Sequence, residues 1–380
     1  MSFFKKQIPL HFNGYIRYIL LKLLLSNQAI MRKYLFLVFI AVCVFQSTHA
    51  TIRRLGYPGT SLAGVDYSSF SEAQTASAPG DTIQIYGSQN DIITVTKRLV
   101  IMGFGNNFDK ITGVQLGNPS DPSKLNTVFL NAGSDSSLMV GLYVYNAYVG
   151  SSNIQLQRCN FANYLYVNYN GIVNNTSVTS SYINYLVQYS TNYNCNNLLI
   201  ANSIIRQIYF GNSQVNGMIL NCVSPASTYT NTWYLGPASF LVRNCILATG
   251  IGSNTNSVYE NNFFTSTQPT TPVPGSNNRW GQTYSTLFNR LGGTSDLPSS
   301  LTNAEFNENY FQLSASSPAI HGGIDLSGAP TDCGIFGGEP AFVFKPGFVP
   351  AIPTIYNLTV PSLEASNNPF NITVSVKSNN

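Results

Sequence analysis

The stretch Leu241-Val242-Arg243-Asn244-Cys245-Ile246-Leu247 carries a pattern that returns through the middle of the chain. In each copy, alternating apolar residues lead into a small polar turn, often Asn-Cys or Asn-Ser, after which apolar residues resume. Such alternation is typical of a half-buried β-strand, and the small polar residues indicate a turn. The other copies are residues 154–161, 178–183, 199–205, 218–223 and 258–264, with an earlier one at 138–142.

The spacing of these copies predicts a solenoid. Aligned on residues 158, 180, 202, 221, 244 and 261, the steps are 22, 22, 19, 23 and 17 residues, a mean of 20.6. Steps of about twenty residues, each with short strands and polar turns, fit the coils of a parallel β-helix. The predicted fold is therefore all-β, with each strand stacked on its equivalent one coil away.

The same alignment predicts two columns of side chains at the turn. One column holds Cys159, Ser181, Ser203, Cys222, Cys245 and Asn262, so these cysteines are expected to stack rather than pair. The adjacent column holds Asn202, Asn221, Asn244 and Asn261, whose amides are expected to form a hydrogen-bonded ladder along the axis.

The residues before the repeats predict a cap. Ser69 and Glu72 have the spacing of a capping box, and the following residues to Ala78 predict a short amphipathic helix that closes the first coil. Residues 81–86 and 97–103 are expected to form the first strands.

These features closely resemble right-handed parallel β-helix proteins of the pectate-lyase-like superfamily, of the secreted bacterial type. The similarity lies in the helix, in the segments Ala-Pro-Gly-Asp-Thr-Ile (78–83) and Lys-Arg-Leu-Val-Ile-Met-Gly-Phe-Gly (97–105), and in the coils that end in Asn-Cys or Asn-Ser. Residues 311–313, 317–323 and 331–338 look like the closing segment of many members. The resemblance covers about residues 62–340 and implies a right-handed solenoid with a short N-terminal capping helix. It is specific for fold rather than function, because the superfamily contains lyases, hydrolases, epimerases and adhesins.

The N-terminal region is typical of a secretory leader. Arg32 and Lys33 precede an apolar run over 35–45, and residues 47–50 form a small-residue cleavage site, so the signal peptide is predicted to span Met31–Ala50. The apolar run is too short for a permanent membrane span. The predicted organisation is an upstream extension and signal peptide (1–50), a β-helix domain (51–340) and a Pro-rich tail (341–380) with one strand. Lipidation at Cys43 is disfavoured because Val42 is bulky.

The charge distribution argues against nucleic acid as a partner. The chain carries 19 Lys and Arg against 15 Asp and Glu, but six of the basic residues precede position 51. The remainder has 13 basic and 15 acidic residues, which provides no electrostatic surface for nucleic acid or an anionic membrane.

Acidic residues are missing where the resembled enzymes need them. Between Ser136 and Tyr259, 124 residues contain no Asp or Glu. Calcium binding and glycoside hydrolysis both rely on clustered carboxylates, so no catalytic residue, metal site or cofactor is predicted. The five cysteines after the leader include no CxxC pair and are interpreted as buried thiols.

The single histidine of the mature chain, His321, lies near Asp325 and Asp332 in sequence. This trio allows an acid–base interpretation. The adjacent glycines and the resemblance to the closing segment favour a structural role in turns instead.

The coils offer an aromatic surface. If Leu165, Leu186, Ile208 and Trp233 point inward, their neighbours along each strand point outward. Aromatic rings stack on sugar rings, and hydroxyl and amide groups bind sugar hydroxyls. The predicted carbohydrate-binding residues are Tyr164, Tyr166, Tyr185, Gln207, Tyr209 and Tyr234.

The sequence thus predicts a protein, secreted or at the cell surface, that binds extracellular polysaccharide or a surface glycan without catalysis. Two alternatives remain: a polysaccharide lyase or glycoside hydrolase with a site built from loops, and a structural or adhesive surface protein. Convergence of two carboxylates in one groove would favour the enzyme. Burial of the tyrosines under the tail, or under residues 265–300, would favour the structural role.

Overall fold

A computed structural model of the chain describes most of the region after residue 49. The described residues are 50–56, 66–103, 123–211, 214–225, 233–247, 251, 256–289, 311–338, 354–359 and 373–377.

Parallel strands dominate these ranges and form two long sheets. The strands of the first sheet, in spatial order, are β1 (Ile52–Gly56), β2 (Thr82–Tyr86), β4 (Val100–Met102), β6 (Leu138–Val140), β8 (Gln155–Gln157), β11 (Ser177–Thr179), β13 (Cys195–Ala201), β15 (Val215–Leu220), β18 (Ser239–Arg243), β20 (Val258–Glu260) and β22 (Gly275–Ser276), and β10 (Val173–Asn174) also pairs with β13. The strands of the second sheet are β3 (Ser88–Val95), β5 (Lys124–Leu130), β7 (Tyr143–Val149), β9 (Asn160–Val167), β12 (Tyr182–Gln188), β14 (Ile204–Tyr209), β16 (Val223–Ser224), β19 (Ile246–Leu247) and β21 (Phe263–Phe264), and β17 (Trp233–Tyr234) also pairs with β14. From β2 to β20 each coil contributes a strand to both sheets, so the predicted parallel β-helix is confirmed.

The turn that joins the two sheets repeats with one backbone conformation. The register pairs Gln157, Thr179, Ala201, Leu220, Arg243 and Glu260, which are the residues immediately before the aligned turn positions. Every aligned turn residue is left-handed, with φ between 47° and 58°. The full column, which we call the turn column, is Gly141, Arg158, Ser180, Asn202, Asn221, Asn244, Asn261 and Asn277. Gly and Asn tolerate this conformation best, which explains their recurrence.

The next residue of each coil points inward and supports the turn. The N–H of Cys159 donates to Ser181 Oγ at 3.1 Å, and the N–H of Ser181 donates to Ser203 Oγ at 3.1 Å. Further along, the N–H of Cys222 donates to Cys245 Sγ at 3.3 Å. The predicted column is therefore present, and its cysteines stack as free thiols.

The N-terminal cap contains one element that the sequence analysis missed. Helix α1 (Phe70–Ala76) begins after Ser69, whose hydroxyl accepts the N–H of Glu72. Phe70 and Ala73 pack into the core. The first strand is β1, ahead of this helix, and it pairs with β2. The expectation that residues 81–86 form the first strand is therefore wrong, because the two arginines of β1 hide its alternation.

The segment 317–338 folds back along the turn column instead of stacking as another coil. It contains the hairpin β23 (Gly323–Ile324) and β24 (Pro330–Thr331). Together with α2 (Tyr284–Leu287), it covers a second apolar cluster outside the solenoid, formed on the coils by Tyr182, Ile204, Val223, Ile246 and Phe263.

This docking corrects the expected asparagine ladder. Asn202 Nδ2 donates to the carbonyl oxygens of Ile335 and Gly337, and Asn221 Nδ2 donates to that of Asp332. Asn244 pairs with both the N–H and the C=O of Ile324. These amides therefore hold the returning segment rather than each other. Axial ladders occur at another turn, along Asn153, Asn175 and Asn197 and along Asn174, Asn196 and Asn216.

In the tail, β25 (Thr354–Thr359) and β26 (Thr373–Lys377) form an antiparallel hairpin, one strand more than predicted. Both helices of the described ranges are too short to cross a membrane.

Candidate functional site

The second sheet presents the predicted tyrosines on its outer surface. Leu165, Leu186, Ile208 and Trp233 are in register on successive strands, and all four are buried. This confirms the inward column. Side chains alternate along a strand, so the residues on either side of each inward position face out. We call Tyr164, Tyr166, Tyr185, Gln207, Tyr209 and Tyr234 the tyrosine face.

The tyrosine face contains two columns that follow the strand register. Tyr164, Tyr185 and Gln207 form one column. The other column runs Tyr166, Val187, Tyr209 and Tyr234. Ring centroids lie 5.1 Å apart between Tyr164 and Tyr185, and 5.2 Å apart in the stacked pair Tyr209 and Tyr234. The structure thus brings all six predicted residues onto one surface.

Val187 interrupts the aromatic column and opens a depression. Its short side chain lies between Tyr166 and Tyr209, which are two strands apart, or about 9.6 Å. The resulting depression of ≈ 380 Å³ is lined by Tyr185, Leu186, Val187, Gln207, Ile208, Tyr209 and Tyr234. Four of the six predicted residues therefore line a single concavity, and Tyr209 is 58% exposed beside it.

The aromatic surface extends further toward the N-terminus than the sequence analysis proposed. Phe129 stacks on Tyr148 at 4.6 Å, and Tyr148 stacks on Tyr166 at 4.7 Å. Tyr169 and Tyr189 approach from the residues after β9 and β12 with edge-on contacts to Tyr148. We call these five residues the aromatic cluster. Phe129 and Tyr148 follow the inward residues Val128 and Ala147, so extending the same alternation to earlier coils would have found them.

Two phenols of this surface, those of Tyr148 and Tyr166, have raised pKa values. Burial raises the pKa of Tyr166, and the neighbouring Tyr148, Tyr164 and Tyr189 raise it further. Burial also raises the pKa of Tyr148, with contributions from Tyr189 and Tyr169. The hydroxyls of Tyr148 and Tyr166 are therefore protonated at neutral pH and can donate hydrogen bonds.

Arg206 is the charged residue beside the tyrosine face on β14. Its guanidinium Nη1 donates to Asn184 Oδ1 at 3.1 Å. The cation is therefore engaged with an amide on the neighbouring coil.

The carboxylates that the structure describes have structural partners. Asp135 Oδ1 accepts the N–H of Ser152, and Glu260 Oε2 accepts from Arg243 Nε at 3.0 Å. Asp325 Oδ1 accepts hydrogen bonds from the N–H and the hydroxyl of Ser327. The bond from the hydroxyl is the main cause of the lowered pKa of Asp325. Asp109 and Asp121, and the side chain of Asp91, lie outside what the structure describes. Among the described residues, no group of three or more His, Cys, Asp or Glu side chains is placed to hold a metal ion.

His321 lies in a turn of the returning segment. Its backbone is left-handed, with φ of 52°, and its side chain is 74% exposed. Asp332 Oδ1 accepts the N–H of His321 at 2.9 Å and lies 3.6 Å from Nδ1. Asp325 is engaged in a separate turn, so this geometry fits turn formation.

Comparison with protein-family models, with curated proteins and with solved structures found no match to this chain.

Proposed function

We propose that this protein is secreted or displayed at the cell surface and binds a polysaccharide or surface glycan on its tyrosine face, without catalysis. We also propose that it belongs to the pectate-lyase-like superfamily, on the sequence resemblance of residues 62–340. The observation that carries the binding proposal is the depression at Val187, where an exposed tyrosine and a glutamine surround an apolar floor.

The geometry of the depression suits a sugar chain. Tyr209 and Tyr234 provide an aromatic stack on one side, and Tyr185 and Gln207 provide a hydroxyl and an amide on the other. Pyranose rings have apolar faces that stack on aromatic rings and equatorial hydroxyls that need hydrogen-bonding partners. The spacing of about 9.6 Å between Tyr166 and Tyr209 is close to two sugar units, so a linear chain can contact both rings.

The chemistry of the face favours a neutral glycan. Its six residues are five phenols and one amide, with no carboxylate, ammonium or guanidinium group among them, and Arg206 is held by Asn184. An acidic polymer such as pectate would need several cations or a bound divalent ion for tight binding. We therefore expect neutral β-linked glucans, xylans or mannans to bind better than pectate.

Truncation of the two tyrosines tests the proposal. Each aromatic contact contributes about 1 kcal/mol, so Tyr166→Ala with Tyr209→Ala is expected to weaken binding roughly tenfold or more. Isothermal titration of each single variant and the double variant against neutral oligosaccharides measures the loss, with melting temperatures alongside. Unchanged affinity in a folded double variant would contradict glycan binding by the tyrosine face.

The Val187→Tyr variant tests the depression itself, by filling it instead of removing the tyrosines around it. A tyrosine there would fill the depression and continue the aromatic column, so binding should be lost while the fold keeps its stability, because both side chains suit strands. Thr179→Tyr is the matched control, since Thr179 is partly exposed on β11 of the other sheet. The control should bind as the wild type does.

A further inference from the structure

Strand β1 starts beside a buried carboxylate. Ala50 and Thr51 are exposed, and β1 starts at the next residue, Ile52. Asp81, which directly precedes β2, has a side chain only 4% exposed. Its Oδ1 accepts the backbone N–H of Thr51 at 2.8 Å. The first residue before the solenoid is thus tied to an acidic group.

The remaining contacts of Asp81 are ones that stabilise an anion. Its Oδ2 accepts the backbone N–H of Ala78 at 2.9 Å and lies 3.3 Å from Arg53 Nη2. Arg53 also donates to the hydroxyl of Tyr67 at 3.0 Å. Burial works against ionisation of Asp81, but the amides of Thr51 and Ala78 and the charge of Arg53 outweigh it, so the pKa is lowered. A full negative charge therefore faces the Thr51 nitrogen.

The Thr51 nitrogen is also the atom that leader cleavage after Ala50 would release. We propose that the chain is processed between Ala50 and Thr51, and that the new α-ammonium of Thr51 binds Asp81 as an ion pair that anchors β1. Water adds across the peptide bond, so that Ala50 leaves as a carboxylate and Thr51 keeps the nitrogen as an ammonium. The catalyst is a leader peptidase, and water is the only co-reactant. This inference rests on the proposed export of the chain and not on glycan binding.

Processing at this bond changes the strength of an existing contact. Before cleavage, Thr51 donates to Asp81 as a neutral amide. Afterwards the same atom donates as a cation, and charge-assisted hydrogen bonds are about twice as strong as neutral ones. Strand β1 pairs with β2 along its length and is bridged to Tyr67 at Leu55, near its C-terminal end, so the Asp81 contact strengthens the attachment of its N-terminal end.

The geometry selects this bond over its neighbours. Cleavage one residue earlier would leave the Thr51 nitrogen as an amide and place the ammonium about 3.8 Å further along the chain. Cleavage one residue later would remove the Thr51 carbonyl, which accepts the N–H of Thr82 at 2.9 Å. Only the Ala50–Thr51 cut both keeps the β1 pairing and places a cation against Asp81.

The first test identifies the end of the exported protein. The full-length chain is expressed in a secreting bacterial host, and the N-terminus of the exported product is determined by Edman sequencing and intact mass. A start at Thr51 is expected. A start at any other residue, or a lipid-modified Cys43, overturns the proposal.

The second test measures the reactivity of the Thr51 α-amino group. In the exported protein, the ion pair should raise the pKa of the α-amino group above its usual value of about 8, which slows labelling by an amine reagent roughly tenfold for each unit. Asp81→Asn should restore ordinary labelling and lower the melting temperature. Asp66→Asn is the matched control, because Asp66 Oδ2 accepts the N–H of Arg54 in the same strand. It should leave the labelling of Thr51 unchanged.

If Asp81→Asn does not fold, a chain that starts at Ala50 provides the same comparison. This chain is produced by cleaving a fusion protein before Ala50. It keeps Asp81 but carries its ammonium one residue earlier, so fast labelling and a lower melting temperature than those of the chain starting at Thr51 are expected. Equal labelling and equal stability of the two chains would overturn the ion pair. Glycan titration of the same samples tests binding to the tyrosine face independently, so a failure of the ion-pair proposal can be distinguished from a failure of the glycan-binding proposal.

Discussion

At the scale of single residues, the turn column shows why asparagine recurs in this chain. The backbone at each turn is left-handed, which costs an ordinary residue about 1 kcal/mol, and asparagine tolerates it. Asn244 then uses its amide twice, accepting the N–H of Ile324 at 3.1 Å and donating to its C=O at 2.9 Å. The same residue thus allows the left-handed turn and binds the backbone of a segment eighty residues away.

Substitutions of Asn244 separate these two roles. Asn244→Gly keeps the left-handed backbone but loses two hydrogen bonds, so it should lower the free energy of unfolding by about 1–2 kcal/mol. Asn244→Ala adds the backbone strain and should cost about 1 kcal/mol more. Urea unfolding measures both. The assignment fails if alanine costs no more than glycine at this position.

The sequence could predict the turn column but not its partners. Asparagine before a small residue, repeated at coil spacing, marks the turn because the left-handed backbone is a local requirement. What the amide binds depends on where a distant segment docks, which no local pattern encodes. For that reason the sequence predicts a ladder at Asn202, Asn221 and Asn244, whereas the ladders in the structure lie at Asn153 and Asn174 and their equivalents.

At the scale of elements, the N-terminal edge of the second sheet is protected by side chains of α1 and its neighbours. Gln74 presents its amide to the edge strand, donating to the carbonyl of Thr94 and accepting the N–H of Thr96, both at 3.0 Å. It therefore occupies the hydrogen-bonding groups that another strand would use. Such blocking prevents edge-to-edge association, a hazard for any open sheet.

Lys97 completes this cap at the C-terminal end of α1. Its ammonium donates to the carbonyl oxygens of Gln74, Thr75 and Ser77 at 2.8, 3.3 and 3.1 Å, where the helix dipole is negative. Lys97→Met should lower the free energy of unfolding by about 1–2 kcal/mol. Lys124→Met serves as the control, because Lys124 lies 5.5 Å from the ring of Tyr143 and should cost less than 1 kcal/mol. Equal losses in the two variants would contradict the capping role.

The cap also shows which elements a sequence reveals. Helix α1 was predicted because Ser69 and Glu72 form a local motif. Strand β1 was missed because Arg53 and Arg54 occupy it, and their partners Asp81 and Asp66 lie outside the strand. Local sequence patterns therefore predict α1, which carries a capping motif. They do not predict β1, whose arginines are paired with carboxylates outside the strand.

At the scale of the molecule, repetition made the solenoid and the tyrosine face predictable. Alignment of six coils fixed which residues point inward, and the buried column from Leu165 to Trp233 followed from it. The second apolar cluster was not predictable in this way. Ile204, Val223, Ile246 and Phe263 were recognised as apolar, but only the docked segment shows that they are covered from outside.

The buried thiols give the whole molecule a pH dependence. Burial raises the pKa of Cys159 and of Cys195 to about 12, and it also raises the pKa values of Cys222 and Cys333. In the unfolded chain a thiol ionises near pH 8.5. Because the folded pKa lies above the unfolded one, this stability is complete below pH 8.5 and is lost as the pH rises.

The expected loss is large enough to measure. At pH 9.5 an unfolded thiol is stabilised by about 1.4 kcal/mol relative to its protonated form, so four thiols lower the free energy of unfolding by about 6 kcal/mol compared with pH 7. Urea midpoints at the two pH values test this. Cys159→Ser is the matched variant, because Ser181 occupies the same column one coil away and accepts the N–H of Cys159. It should reduce the alkaline loss by about 1.4 kcal/mol, and a variant that loses as much stability as the wild type would show that burial of the Cys159 thiol does not cause the effect.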